Sequence, residues 1–103
     1  MRLIESKAVA KALKKHREAT RWVSQWRQAV GVAEWDSIGD VRKSYPSADG
    51  VKNKFAVVIT VFNVKGNEYR LLTVIHYPTH TVYEVDLLSH EEYDLENWKE
   101  WRI

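Results

Sequence analysis

Cysteine is absent from this 103-residue chain. Its absence excludes a disulfide framework, a thiolate zinc site and thiol chemistry of any kind. Also missing is any segment approaching the roughly 20 apolar residues that a membrane span requires. The short apolar start, Met1 to Ile4, runs directly into the charged stretch 5–17, so the expectation is a soluble, cytoplasmic protein with no membrane association. There is no internal repeat and no low-complexity tract. What is present is 45% hydrophobic residues, enough for one modest core at this length but not for two, and residues 1–103 are expected to form a single domain.

The net charge of +2 hides an uneven distribution. Residues 1–54 carry 12 Lys or Arg against 6 Asp or Glu, whereas residues 55–103 carry 4 against 8. A basic half suits a polyanion such as RNA, and an acidic half suits a basic partner or plain solvent. Solvated helix faces account for the same clustering, so the charge alone leaves both open.

Periodicity orders the elements. Ser6 can cap a helix in which Val9, Ala12, Leu13 and His16 recur at helical spacing, with Lys7, Lys11, Lys14 and Lys15 as a basic stripe. A second helix is predicted over 20–35, burying Trp22, Trp26, Ala29, Val30 and Ala33, with Gly31 blurring its end. Residues 36–54 read as a connection holding a helical turn near 38–43 before Tyr45-Pro46 stops it. Runs 55–62, 69–77 and 81–88 are rich in Val, Ile, Thr and Tyr and read as strands. Tight returns at 64–68 and 78–80 make them antiparallel neighbours. Ser89 with Glu92 forms a capping-box pattern, and a C-terminal helix should follow with Leu95, Trp98 and Trp101 on its apolar edge. The fold class is α+β: N-terminal helices packed on a small antiparallel sheet of three or more strands, with a C-terminal helix.

Two blocks carry a resemblance. Phe62-Asn63-Val64-Lys65-Gly66-Asn67-Glu68-Tyr69-Arg70-Leu71 resembles the central motif of the HigB toxin family, within the RelE-like superfamily. Ser89-His90-Glu91-Glu92-Tyr93-Asp94 looks like that family's Thr-His-x-Glu-Tyr-Asp signature, with Ser in place of Thr. Ala33-Glu34-Trp35 and Tyr45-Pro46-Ser47-Ala48-Asp49 extend the similarity upstream. The resemblance implies a RelE-like fold, ribosome-dependent cleavage of mRNA in the A site, and neutralisation by a HigA-type helix-turn-helix antitoxin through which alone the pair would bind operator DNA. One position departs. Many relatives have Tyr-Ile-Arg in the last strand where this chain has Tyr83-Glu84-Val85, so a phosphate-binding Arg is missing, and Glu84 and Asp86 are expected to place negative charge on the opposite strand face.

RNA cleavage without a metal needs the ribose 2′-hydroxyl deprotonated, the phosphate charge neutralised and the leaving 5′-oxygen protonated; no cofactor is called for. Histidine is the residue type whose unperturbed titration lies closest to neutrality, and His90 is the first candidate for the proton work. Lys65 and Arg70 flank the turn as phosphate ligands, Arg70 with the better geometry because its planar fork engages two oxygens. Tyr93 can stack on a base or orient the hydroxyl. These four make the catalytic set; Lys7, Lys11, Lys14, Lys15, Asn63 and Asn67 make the RNA-binding set. Simpler explanations stand beside several of them: turn chemistry for Asn67, a strand end for Asn63, the capping box for Glu92, and a solvated face for the lysines. His76 and His80 have metal-ligand spacing, but Pro78 lies between them and no third ligand is evident. A relative that binds RNA or an antitoxin without cutting, and a plain interaction protein built on its tryptophans, remain alternatives.

Overall fold

The computed structural model describes residues 1–102. Strand β1 (Arg2–Ile4) leads to α1 (Lys7–Lys15), a short 3-10 turn (Arg17–Ala19), α2 (Thr20–Val32) and α3 (Ile38–Ser44). Then come β2 (Asp49–Lys52), β3 (Val58–Val64), β4 (Tyr69–His76), β5 (Thr81–Ser89), α4 (His90–Asp94) and a last 3-10 turn (Asn97–Glu100). The five strands form one sheet in the order β1-β5-β4-β3-β2. The three predicted strands are its antiparallel centre, and β2 extends it antiparallel on β3. At the other edge β1 pairs with β5 in parallel, so the sheet is mostly, not wholly, antiparallel. This is the expected α+β architecture with two short strands added at its edges.

The local signals explain most element ends. Ser6 caps α1 by accepting from the Val9 amide at 3.1 Å, which satisfies one of the orphan donors of the first turn. Helix α2 stops at Val32, three residues before the predicted end, because Ala33 turns to extended backbone; this swings Trp35 into the core, where it is 4% exposed. Strand β3 begins at Val58 rather than at residue 55. The Asn53 side chain accepts from the amides of Phe55 and Val57, an Asx-type turn that occupies the donors a strand would need.

Both faces of the sheet are covered. On one, α1 and α2 bring Val9, Val23, Trp26 and Val30 against Phe62, Val64, Leu71, Val82 and Leu87. Trp26 meets Phe62 edge-on, with ring centroids 5.3 Å apart; Trp22 is only partly buried and packs near Tyr45. On the opposite face Ile59, Val61, Leu72 and Leu88 are covered by Trp98, with Tyr93, Val85 and Trp101 around it. The predicted C-terminal helix is interrupted: α4 is a single turn, Glu96 adopts a left-handed conformation at φ 60°, and the 3-10 turn that follows re-aims the chain. Trp98 is thereby buried as predicted, but Leu95 is 70% exposed instead of lining an apolar edge. The break moves the next turn's face, so a residue placed by continuous helical spacing lands on the wrong side.

A second correction concerns β5. Its pairing with β4 slips between Leu72/Thr73, from Leu72↔Asp86 to Thr73↔Glu84, leaving Val85 as the extra residue of a bulge. A bulge interrupts the two-residue alternation. Glu84 points into the helical layer, on the face opposite Val85 as strand parity predicts, but it is buried there: it receives two bonds from Arg27, at 2.8 and 3.0 Å, and one from the Ser6 amide. Asp86 is the residue the bulge displaces, pairing with Leu72 on the Val85 side instead of lying opposite it.

Candidate nucleic-acid site

The β3–β4 hairpin and the start of α4 meet at one end of the sheet. Lys65 and Gly66 take positive φ, 52° and 70°, which turns the chain tightly enough for Val64 to pair with Tyr69; glycine accepts this conformation without a side-chain clash. The His90 amide donates to the Glu68 carbonyl at 3.0 Å, tying the first residue of α4 to the hairpin tip. Four of the sequence-predicted residues, Asn63, Lys65, Asn67 and Arg70, lie on this hairpin, and His90 and Tyr93 lie on the short helix fastened to it.

Arg70 is opposite Asn63 in the β3–β4 ladder. One of its guanidinium nitrogens donates to the Asn67 and Tyr69 carbonyls at 3.1 and 3.2 Å, and the group lies 5.5 Å from the centre of the Tyr93 ring. No carboxylate pairs with it among the described residues, so its charge is held in position but not neutralised. Asn63 donates weakly to the Asn67 side chain at 3.4 Å, which braces the turn. Lys65 is half-exposed and reaches Glu68 at only 3.9 Å, a contact too loose to hold it in solvent.

His90 has a partner that sequence reasoning undervalued. Its Nδ1 lies 2.7 Å from Asp94 Oδ2, one helical turn on. A carboxylate on one ring nitrogen orients the imidazole and leaves the other, Nε2, for proton transfer. The i,i+4 spacing of His90 and Asp94 was the signal available. Tyr93 stacks on Trp98, centroids 5.1 Å apart and planes 13° from parallel, while Trp98 Nε1 donates to the Tyr93 carbonyl. With Trp98 and Arg70 both claiming its ring, Tyr93 has its hydroxyl left to offer. Burial pushes that phenol above its ordinary value, with Asp49 adding to the effect, so it is a donor at neutral pH.

Glu92 behaves as a cap. Its carboxylate accepts from the Ser89 amide at 3.0 Å, and Ser89 Oγ accepts from the Glu92 amide at 3.2 Å. The Ser89 amide bond, outweighing partial burial, holds the carboxyl below its ordinary 4.5, with Lys15 and His16 helping. A depressed carboxyl stabilises the fold above its unfolded value and loses that contribution as the pH falls through the folded one. The stability difference between wild type and Glu92→Gln is therefore expected to be constant near neutrality and to shrink below pH 4.5. Thermal melts across the acid range check this; a gap that widens on acidification would contradict it.

The α1 lysines are not gathered with these residues. Lys7, Lys11, Lys14 and Lys15 are exposed on a helix that covers the other face of the sheet. Three of them, Lys11, Lys14 and Lys15, border a groove of about 570 Å³ shared with His16, Asp86 and Glu92. Lys15 comes near enough to α4 to act on Glu92, so the stripe ends at the edge of the hairpin site. His76 and His80 sit at the far end of the sheet, where His76 contacts Thr79 and His80 contacts Asp36.

A family model described as HigB_toxin, RelE-like toxic component of a toxin-antitoxin system, matches residues 19–96. The match spans the hairpin, β5 and α4, and leaves out the lysine helix and the final turn. No curated protein matches the chain.

Proposed function

The chain belongs to the HigB toxin family, the RelE-like toxic components of toxin-antitoxin systems, and on that premise we propose that it is a metal-independent endoribonuclease cutting translated mRNA on the ribosome in the cytoplasm. The observation that carries the proposal is Arg70, without a carboxylate partner among the described residues, beside the Tyr93 ring, with the Asp94-paired His90 on the same short helix fastened to the hairpin tip. In the reaction the ribose 2′-oxygen loses its proton and attacks the adjacent phosphorus. The bond to the 5′-oxygen breaks and that oxygen takes up a proton, leaving a 2′,3′-cyclic phosphate and a 5′-hydroxyl. Arg70, with Lys65 swinging in from the turn, neutralises the charge that grows on the phosphate. His90 Nε2 handles a proton, and Tyr93 donates a hydrogen bond to an oxygen of the reacting group. Asn63 and Asn67 bond the RNA beside the turn, and Lys7, Lys11, Lys14 and Lys15 replace counterions on the ribosomal or messenger backbone. A ribosome-held message supplies the alignment that free RNA lacks.

The partner is a HigA-type helix-turn-helix antitoxin that prevents ribosome entry or covers the site, and operator DNA is bound only through it. Induced expression in bacteria tests the proposal: growth arrest with new mRNA 5′ ends inside translated codons is expected, relieved by co-expression of the antitoxin. Unimpaired growth with intact messages would overturn it. The second reading, a relative that binds without cutting, is favoured by one observation. Val85 puts an apolar side chain among Leu72, Leu88 and Trp98 where many relatives have Arg.

A further inference from the structure

Val85 does more than remove a charge. It lines a cavity of about 640 Å³ together with Val74, Tyr83, Asp86, Trp101 and Arg102. That volume lies within the usual range of small-ligand sites, ~300–1,000 Å³. Trp101 and Arg102 lie beyond the matched segment 19–96, so part of the cavity wall falls outside the family match. An arginine at residue 85 would extend into the space that valine leaves open.

The chemistry of the lining is selective. Tyr83 is 43% exposed, an aromatic ring on a strand that no other ring covers among the described residues. Trp101 supplies a second aromatic wall. Asp86 brings a carboxylate that accepts from the Leu87 amide at 2.8 Å and has no side-chain partner among the described residues. Each carboxylate oxygen has two lone pairs, so most of its accepting capacity is unused. Burial, more than the nearby Glu92 charge, pushes this carboxyl above its ordinary value, a penalty that new donors would relieve. Arg102 sits at the rim, 5.1 Å from the Phe55 ring centre, as a cation suited to phosphate.

We propose that this cavity binds a guanine base of the RNA, with Asp86 accepting from its N1–H and N2–H and with Tyr83 and Trp101 as stacking partners. Guanine alone among the four bases presents two adjacent donors on its Watson–Crick edge. Adenine and cytosine set a ring acceptor beside their amino group, and uracil flanks its single N–H with carbonyls, so each would face the carboxylate with at least one repulsive contact. One wall residue, Val74, shares a face with Arg70, because Arg70, Leu72 and Val74 alternate to one side of β4, and four residues at ~3.3 Å each put it about 13 Å along the strand; Ala8 of α1 borders the cavity at the sheet edge. A nucleotide flanking the phosphate at Arg70 reaches that far. The proposal rests on the RNA-cleaving reading and adds base selection to it.

The experiment titrates GMP, AMP, CMP and UMP into the purified full-length chain, following tryptophan fluorescence and the NMR signals of Tyr83 and Trp101. GMP is expected to bind about tenfold or more tighter than the others, the discrimination of one good bidentate pair. Asp86→Asn, which exchanges one acceptor for a donor, should erase that preference. Tyr83→Ala, at an exposed ring whose loss leaves the core intact, should weaken GMP by about tenfold through lost stacking. Val85→Arg should abolish binding by filling the cavity. Equal binding of all four nucleotides, no saturable binding, or a guanine preference unchanged in Asp86→Asn would overturn the proposal. The readout is independent of cleavage. Guanine-selective binding by a protein that cuts no mRNA would leave the pocket standing and sink only the nuclease reading; cuts without guanine-selective binding would do the reverse.

Discussion

Arg70→Ala is expected to lower mRNA cleavage by about 10²–10³-fold, the cost of removing one preorganised donor from a developing oxyanion, and to relieve growth arrest on induction. The residue's held position argues for an effect of that size. Two carbonyls and the Tyr93 ring fix the guanidinium, so it need not reorganise as charge develops. Since no acidic side chain pairs with it among the described residues, the charge is available to phosphate. Arg70→Lys should recover only part of the loss, because an ammonium cannot keep the two-pronged geometry. The check is mapping of mRNA 5′ ends after induction, with a melting curve to show that each variant folds. Cleavage within twofold of wild type in a folded Arg70→Ala protein would remove Arg70 from the phosphate site and return it to bracing the hairpin.

The other large effect is on stability. Glu84→Ala is expected to cost about 3–5 kcal/mol, the usual penalty for leaving one member of a buried ion pair without its partner. The Glu84 side chain is 0% exposed and that of Arg27 is 24% exposed, so the carboxylate is the desolvated member and Arg27 the one with some access to water. At this chain length each kcal/mol corresponds to roughly 4–8 °C in melting temperature, so the variant should melt far below wild type. Arg27→Leu combined with Glu84→Leu should recover much of the loss, since two apolar side chains leave no stranded charge. A Glu84→Ala protein melting within a few degrees of wild type would mean that the pair is solvated and contributes little.

These two predictions differ in how far they were visible in the sequence. Arg70 was legible: it follows a glycine-containing turn, opens a β-branched run and falls in a motif that resembles a family. The geometry then adds the bonds that hold it. His90 was legible for the same reason, whereas Asp94 was weighed only as a base in its own right, although its i,i+4 spacing from His90 predicts their contact. Glu84 was legible only in part. Strand alternation put it on the face opposite Val85, where it lies, but not its burial against Arg27; the bulge at Val85 instead moves Asp86 to the Val85 side, and bulges have no residue signature comparable to a turn glycine. Tyr93 was offered two roles, and the stacked Trp98 ring, five residues on, bears on which of them is open to it.

Sequence alone was sufficient wherever the controlling physics lies within a few residues. The Ser6 cap, the Ser89–Glu92 capping box, the Lys65–Gly66 turn and the three central strands depend on backbone donors, φ preference and side-chain branching, all encoded locally. Tertiary structure alone decided what depends on partners distant in the chain. Strands β1 and β2 are too short, and β2, Asp-Gly-Val-Lys, too poor in strand formers, to exist without the ladders on β5 and β3. The break at Glu96 and the folding of Trp98 onto the sheet follow from apolar surface that only the assembled strands present. The cavity at Val85 belongs to the same class, because burying a tryptophan or shaping a pocket is a property of surfaces meeting, and those surfaces do not exist until the chain has folded.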